Sequence, residues 1–474
     1  MKGVNYSLFI KQLSRNKFLR SHLIKQIDKH LYRQLVKEDD KLFKIKKIRY
    51  QYLSAMLQCT ARNLDKGYVS NDVVEKLADV LVGNSFQFMN NGKKELHEEF
   101  EATHGMVPPN FLVLSPTQRC NLNCTGCYAG STAKTSSTLP YDIIEKIIDE
   151  AYNKMHIRFI TISGGEPFIY KDNGKTMLYI FEKYNDIFFL VYTNGLLIDQ
   201  ETAYKLKELG NVTPAISIEG FEEQTDKRRG KGTHKKILQV FENLRNAGVP
   251  FGISVTGTSE NVDVLLDDSF YDYYFDDQGV TYMWQFQLMP MGRANEAFDL
   301  MITPEDRLKL YRKWEYILEQ KRYCIADFWN SGVITNGCIA YGKEGGYFYI
   351  DWHGNITPCV FIPYYVDNIY ELYKNGRSLV DALKSGLMKN GRKWQDDYGM
   401  IDAKEPKNLL MPCSIRDHYD NFRKNILNQN IEPADSYAEE SLKDDEFYNR
   451  LVEYDNRLCQ LTQPIWEKEF VQNE

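Results

Sequence analysis

The chain has 474 residues, of which 43% are hydrophobic, 26% charged and 13% aromatic, with a formal net charge of −6. That length gives room for two to four domains at roughly 100 to 200 residues each, and the composition excludes disorder for most of it. No stretch reaches the ~18 apolar residues of a membrane span and the first residues form no secretory signal, while three of the nine cysteines fall within eight residues, which points to metal in a reducing compartment. A cytoplasmic protein is expected.

Residues 1–50 hold ten Lys and four Arg against Asp28, Glu38, Asp39 and Asp40, a balance of +10 that leaves −16 on the other 424 residues. Within them Leu13, Phe18, Leu19, Leu23, Ile24, Ile27, Leu31 and Leu35 recur at helical spacing, one apolar face on a basic helix. A second periodic run starts at Asn71-Asp72, and the loop around Asn90, Asn91 and Gly92 marks a boundary near residue 105. Such a segment suits a helical cap, or a peripheral contact with the anionic inner face of a membrane; nucleic acid is the least favoured partner.

From Phe111 six β-rich runs follow, over 111–115, 158–163, 188–193, 214–218, 250–256 and 282–288, separated by helical patterns that end at glycines such as Gly210 and Gly248. Six strand–helix repeats predict an α/β fold with a parallel sheet, as an open barrel or doubly wound, and either places its chemistry at the C-terminal ends of the strands. A helical stretch over 303–323 comes next. The run GYFYIDWHGNITPCVF then reads as a hairpin turning at His353-Gly354-Asn355, and an acidic helical segment begins near Ala434. The expected divisions are 1–105, 106–300, 301–335 as a helical linker, 336–425 and 426–474.

Directly after the first strand, SPTQRCNLNCTGCYAG sets Cys120, Cys124 and Cys127 in C-x3-C-x2-C spacing. Three thiolates on one loop can hold three corners of a [4Fe-4S] cubane and leave one iron open; a zinc site lacking its fourth ligand, or reduced core cysteines, has the same spacing. The other strand ends separate these readings. The second ends in Ser163-Gly164-Gly165-Glu166-Pro167, the third in Thr193-Asn194-Gly195 and the fourth in Ser217-Ile218-Glu219-Gly220. Gly164 and Gly165 let backbone approach a ligand, Glu166 offers an acceptor for a cationic amine, and Ser217 and Glu219, two apart on a strand, share a face.

This set resembles the radical S-adenosylmethionine (radical SAM) enzymes, in which the open iron is chelated by the amino and carboxylate groups of the cofactor's methionine part. The resemblance covers about residues 108–300, including the LMPMGRA run, and implies a partial (β/α)6 barrel. It also implies a [4Fe-4S] cluster on Cys120, Cys124 and Cys127, and S-adenosylmethionine held at Gly164, Gly165 and Glu166. Tyr128, Thr193 and Asn194 join the cofactor-binding set, Ser217 and Glu219 lie near the ribose, and Arg229, in a run with Asp226, lies near the carboxylate. Many members carry an aromatic residue just before the third cysteine; here that position is Gly126, and Tyr128 follows the cysteine instead. Reductive cleavage of the cofactor to a 5′-deoxyadenosyl radical, able to take hydrogen from an sp3 carbon, needs an enclosed, dry site, which a barrel mouth capped by another domain supplies. A low-potential electron donor of the flavodoxin or ferredoxin type is the implied partner.

Cys338, Cys359 and Cys413 are far apart, but Gly354 precedes Cys359 in a G-x4-C element and Cys413 lies in MPCSIRDHY. They resemble the first half of a SPASM domain, or its shorter twitch form, and so imply a probable auxiliary [4Fe-4S] cluster with three cysteine ligands. Its fourth position is expected to be open to substrate or filled by Cys324, Cys459 or a non-cysteine group. Three unrelated buried cysteines are the alternative. Cys59 reads as core, His353 as a turn residue and His418 as equally structural or functional; no residue stands out as a general base. The combined reading is a radical enzyme acting on a large substrate, peptide or lipid. A non-catalytic iron–sulfur or zinc scaffold is the alternative from a different class, and it would form no 5′-deoxyadenosine.

Overall fold

The computed structural model describes residues 17–36, 42–81, 93–294, 297–399, 407–427 and 430–472. Leu13 and the expected loop at Asn90–Gly92 lie outside these residues, as does most of the first basic run.

All six expected strands form: β1 (Phe111–Leu114), β2 (Phe159–Ile162), β3 (Phe188–Thr193), β4 (Val212–Ile218), β5 (Gly252–Gly257) and β6 (Tyr282–Gln287). They pair in parallel and in sequence order. A doubly wound sheet reverses its strand order at a switch point, so the sequential order settles the choice in favour of the open barrel. Each connecting helix packs one apolar stripe on the outside of the sheet. Tyr141–Lys154, for example, buries Ile144, Ile147, Ile148 and Ala151, and each large aliphatic chain so covered contributes about 1.5–3 kcal/mol.

Two elements extend the sheet beyond the expected six strands. β7 (Ile325–Asp327) pairs parallel with β6, inside the stretch read as a helical linker; three residues are too few to show an alternation in sequence. At the other edge, β8 (Tyr347–Ile350) and β9 (Asn355–Thr357) form the predicted hairpin, and β8 also pairs in parallel with β1. His353 sits in the turn, where Asp351 accepts hydrogen bonds from the backbone N–H groups of His353 and Asn355 at 2.8 and 2.9 Å. The short strands β10 (Tyr364–Tyr365), β11 (Asp367–Asn368) and β12 (Glu432–Pro433) complete the set, β11 beside β9 and β10 beside β12.

The N-terminal helices α1 (Lys17–Leu35), α2 (Phe43–Lys66) and α3 (Asn71–Leu77) lie under the N-terminal ends of the strands, opposite the cysteine loop. Asn63 donates to Gly279 O at 2.7 Å and to Thr281 Oγ1 at 3.0 Å, just before β6; Ser70 N–H donates to Gly248 O at 2.9 Å, just before β5. Val80 packs with Phe188, Leu190 and Ala215 at the barrel floor. This segment therefore caps the barrel from below, as a plug at its base. The apolar side of α1 packs on Ala61 of α2, with Ile24 buried and Leu23 and Ile27 partly buried, so much of the face that membrane insertion would use is turned to α2. Lys25, Lys29 and Arg33 point to solvent. No described helix is long and apolar enough to cross a membrane.

Candidate active site

Side chains alternate along a strand, and the inward set of seven strands converges on one cavity of about 240 Å³. Phe111, Phe159, Leu190, Tyr192, Trp284 and Phe286 form its apolar wall, and Thr161, Ser217, Ser254 and Thr256 add hydroxyls. Cys120, Cys124 and Cys127 line the upper end together with Gly164, Gly165, Thr193, Asn194 and Arg229. The loops after β1 to β4 are thus brought together as the strand-end pattern predicted.

How they are held was not legible residue by residue. Gly164 has φ +108, and a Cβ there would stand 2.8 Å from Thr117 O; at Gly165 it would stand 2.2 Å from Arg119 O. The glycines were expected to admit a ligand, but the closest approach they permit is to the cysteine-loop backbone. That contact is sealed by Gly165 N–H to Thr117 O and Glu166 N–H to Arg119 O, both 2.8 Å. Glu166, expected to receive an amine, is fully buried. Its carboxylate accepts from Thr193 Oγ1 at 2.7 Å, Asn194 N–H at 2.8 Å and Phe168 N–H at 3.1 Å. Burial pushes its pKa up against those hydrogen bonds. Glu166 thereby positions Thr193 and Asn194, and Asn194 Nδ2 in turn reaches Asn121 Oδ1 at 2.7 Å and Cys120 Sγ at 3.7 Å.

Ser217 lines the cavity, whereas Glu219 on the same face does not. The Glu219 carboxylate is taken by Arg229 (Nε at 2.9 Å), by Arg228 at 2.7 Å and by Thr256 N–H at 3.2 Å. It aims Arg229, whose Nη1 lies 3.9 Å from Cys124 Sγ. Asp226 caps the next turn by accepting from His234 N–H at 2.9 Å and stays outside the cavity. Gly126 has φ +65, in the left-handed region that favours glycine, and a Cβ on it would press on Leu288 Cδ1 at 3.0 Å, so a side chain there would be strained. Tyr128 turns instead toward the second loop, its hydroxyl 2.8 Å from Ser163 Oγ and accepting from Gly164 N–H at 3.1 Å.

Sequence reasoning missed two residues. Arg293, in the LMPMGRA run, donates to Cys124 O at 2.8 Å and Ser131 O at 2.9 Å and clamps the cysteine loop. Phe361, two residues after Cys359, closes the open side of the barrel between Tyr128 on one flank and Phe286, Phe328 and Trp329 on the other. The spacing of Phe361 from the second cysteine was the only signal available.

Among the described residues no three His, Cys, Asp or Glu side chains converge as ligands of a single ion would. Cys120, Cys124 and Cys127 instead border a shared space, as the corners of a larger group require. Burial pushes the Cys120 thiol up to about 12 and also raises Cys124, against the pull of Arg229. Such thiols give up their protons only to a strongly bound cation, and a cluster iron is one. The donor set therefore fits a cubane.

The second cysteine set is also assembled. Tyr341 N–H donates to Pro358 O at 3.1 Å and the Tyr341 hydroxyl lies 2.7 Å from Ser414 Oγ, so one residue ties the segments of all three cysteines. Burial, then Asp417, Cys338 and Cys359, push Cys413 well above the ordinary thiol range. Cys338 and Cys359 both act on Cys413, so the three thiols share one buried site, spread as the corners of a larger group and not gathered on one ion. Ile339 and Val360, each beside one of these cysteines, and Tyr347 line the main cavity. Cys324 lies elsewhere, its backbone N–H 3.3 Å from Cys59 Sγ below the barrel, and Cys459 is exposed on the last long helix. His418 packs against Trp394 and Tyr398 and bonds Met411 O at 2.9 Å, a structural setting.

The family model of the Radical SAM superfamily matches residues 114–268. The mycofactocin maturase MftC of Mycolicibacterium smegmatis is 30% identical over 337 residues, which cover 69% of this chain and 80% of that protein. The sporulation killing factor maturation protein SkfB of Bacillus subtilis is 26% identical over 261 residues, 53% of this chain and 60% of that one. Among solved structures, Streptococcus suis SuiB bound to the precursor peptide SuiA superposes with a TM-score of 0.54 at 17% identity, over 74% of this chain and 81% of SuiB. Native anSMEcpe with bound AdoMet superposes with a TM-score of 0.51 at 19% identity, over 75% of this chain and 99% of that one.

Proposed function

Because the chain belongs to the radical SAM superfamily, and so is an enzyme that uses S-adenosylmethionine with a [4Fe-4S] cluster, we propose that Cys120, Cys124 and Cys127 hold that cluster and that the barrel cavity takes hydrogen from an sp3 carbon of a peptide. The observation that carries this reading is the single cavity with the three thiols at its upper end and an apolar, aromatic wall below them. When bound, the reduced cluster and S-adenosylmethionine supply a primary carbon radical strong enough for unactivated C–H bonds.

The remaining work belongs to the protein. Gly164, Gly165, Thr193 and Asn194 border the place of the methionine part, with Glu166 ordering the last two from behind. Ser217 offers a hydroxyl on the ribose side, and Arg229, aimed by Glu219, supplies the positive charge beside Cys124. Phe361, with Ile339 and Val360 beside the second cysteine set, closes the open side of the barrel, and the Val80 plug closes the base, which would limit the access of water to the reacting atoms. Cys338, Cys359 and Cys413 hold an auxiliary cluster on the same wall.

A peptide is favoured over a lipid by the names of two relatives, a maturase and a maturation protein, and by a fold neighbour captured with a precursor peptide. The apolar wall suits a large aliphatic or aromatic side chain at the reacting position. The exposed basic face of α1 supports at most an electrostatic contact with an anionic surface, and the reductant is of the flavodoxin or ferredoxin type. The test is isotope transfer. With a uniformly deuterated peptide pool, the reduced enzyme is expected to release 5′-deoxyadenosine carrying deuterium. Deuterium arriving only from a deuterated phospholipid pool would replace peptide by lipid, and none from either would end the hydrogen-abstraction reading.

A further inference from the structure

We propose that Tyr347 is a positioning residue for the second cysteine set, and that its phenol, hydrogen-bonded to Cys359, sets the reduction potential of the auxiliary cluster from the wall of the reaction cavity. This rests on the reading of Cys338, Cys359 and Cys413 as cluster ligands.

Tyr347 opens β8, the strand that joins the second cysteine region to β1 of the barrel, with Phe111 as its register partner. Its ring stacks on Phe111 at 5.0 Å, and Phe111 stacks on Phe159 at 5.4 Å, so the phenol is braced by two aromatic residues of the cavity wall. The side chain is 2% exposed and lines the cavity, while its hydroxyl lies 2.9 Å from Cys359 Sγ. Between a thiol and a phenol either group can donate. A metal-bound thiolate has no proton, so in the loaded protein the phenol must be the donor. Phe361 N–H, at 3.4 Å, is a second donor to the same sulfur. Hydrogen bonds to cluster sulfurs withdraw electron density and make the cluster easier to reduce. The two donors sit on residues that both face the cavity, so the sulfur is tuned from the side on which substrate binds.

The experiment compares the reconstituted full-length chain with Tyr347→Phe and Cys359→Ala, using iron counts and a redox titration followed by electron paramagnetic resonance. Cys359→Ala identifies the auxiliary signal by its loss. Tyr347→Phe is expected to keep its iron and the first signal's midpoint, while the auxiliary midpoint moves negative. A tenfold loss in the reduction equilibrium corresponds to about 59 mV for one electron. Incorporation of 3-fluorotyrosine at position 347, which keeps the ring and donates more strongly, should move the midpoint positive and covers the case in which the phenylalanine variant fails to fold. A full iron count with an unmoved auxiliary midpoint in either variant would overturn the proposal. A wild-type chain with only the first cluster would instead overturn the ligand reading on which it rests.

Discussion

Gly165 shows how narrow the tolerances of the site are. Its missing side chain lets the loop after β2 lie against the cysteine-loop backbone, where a Cβ would stand 2.2 Å from Arg119 O. Gly165→Ala must therefore displace one loop from the other, and a displacement near 1 Å at a catalytic centre costs on the order of 100-fold in rate. We expect 5′-deoxyadenosine formation to fall by about that factor, measured by chromatography of the quenched reaction. Gly174→Ala is the control: with φ +82 but no atom within 4 Å, it meets only backbone strain and should retain activity. Equal losses in both variants would mean that the crowding at Gly165 is not what matters. At this scale the sequence was readable where chemistry repeats at fixed spacing, as in the three cysteines and the glycine pair. It was opaque where a side chain's partner comes from a distant loop. Nothing near Glu166 reveals that Thr193 and Asn194 occupy it, and nothing near Glu219 reveals its two arginines.

Between elements, the buried pair of Arg307 and Asp417 joins the helix Pro304–Tyr316 to the segment carrying Cys413. Arg307 and Asp417 are both about 1% exposed, and Asp417 Oδ2 also accepts Cys413 N–H at 3.0 Å. Removing one partner of a buried pair leaves the other charge uncompensated, at about 3–5 kcal/mol. Asp417→Asn is expected to lower the unfolding midpoint and to reduce bound iron toward the content of one cluster; unchanged iron and stability would contradict the role given to the pair. Glu469 forms a second junction, between Lys44 of α2 and Arg312. Burial pushes its carboxyl up, but hydrogen bonds from Arg312 and Lys44 outweigh burial and hold it at about 2. A depressed carboxyl stabilises the fold above its ordinary value of ~4.3 and loses that contribution as pH falls toward 2. The midpoint difference between wild type and Glu469→Gln should be full at neutral pH and shrink below pH ~4.3; a constant difference would refute the assignment. The first six strands were legible because each is a short apolar, β-rich run set off from the next by a helical pattern. β7 was too short to alternate, and the pairing of β8 with β1 joins residues 236 positions apart, which no local pattern encodes.

Across the whole molecule, three parts enclose one space. The barrel supplies the wall, the N-terminal helices plug its base, and Phe361 with the second cysteine region closes its open side. That the N-terminal helices sit at the base was not legible, because amphipathic periodicity tells which face of a helix is buried and not what buries it. The central claim is that the thiols at the upper end of this space hold the cluster that cleaves S-adenosylmethionine, with a second cluster in its wall. It is tested most directly by anaerobic reconstitution with iron and sulfide, an iron count, and an assay for 5′-deoxyadenosine after reduction with the cofactor. The wild-type chain should bind about eight irons and form the product; Cys120→Ala should form none, and Cys359→Ala should keep about four irons and still form it without substrate. Undiminished 5′-deoxyadenosine from Cys120→Ala would contradict the account.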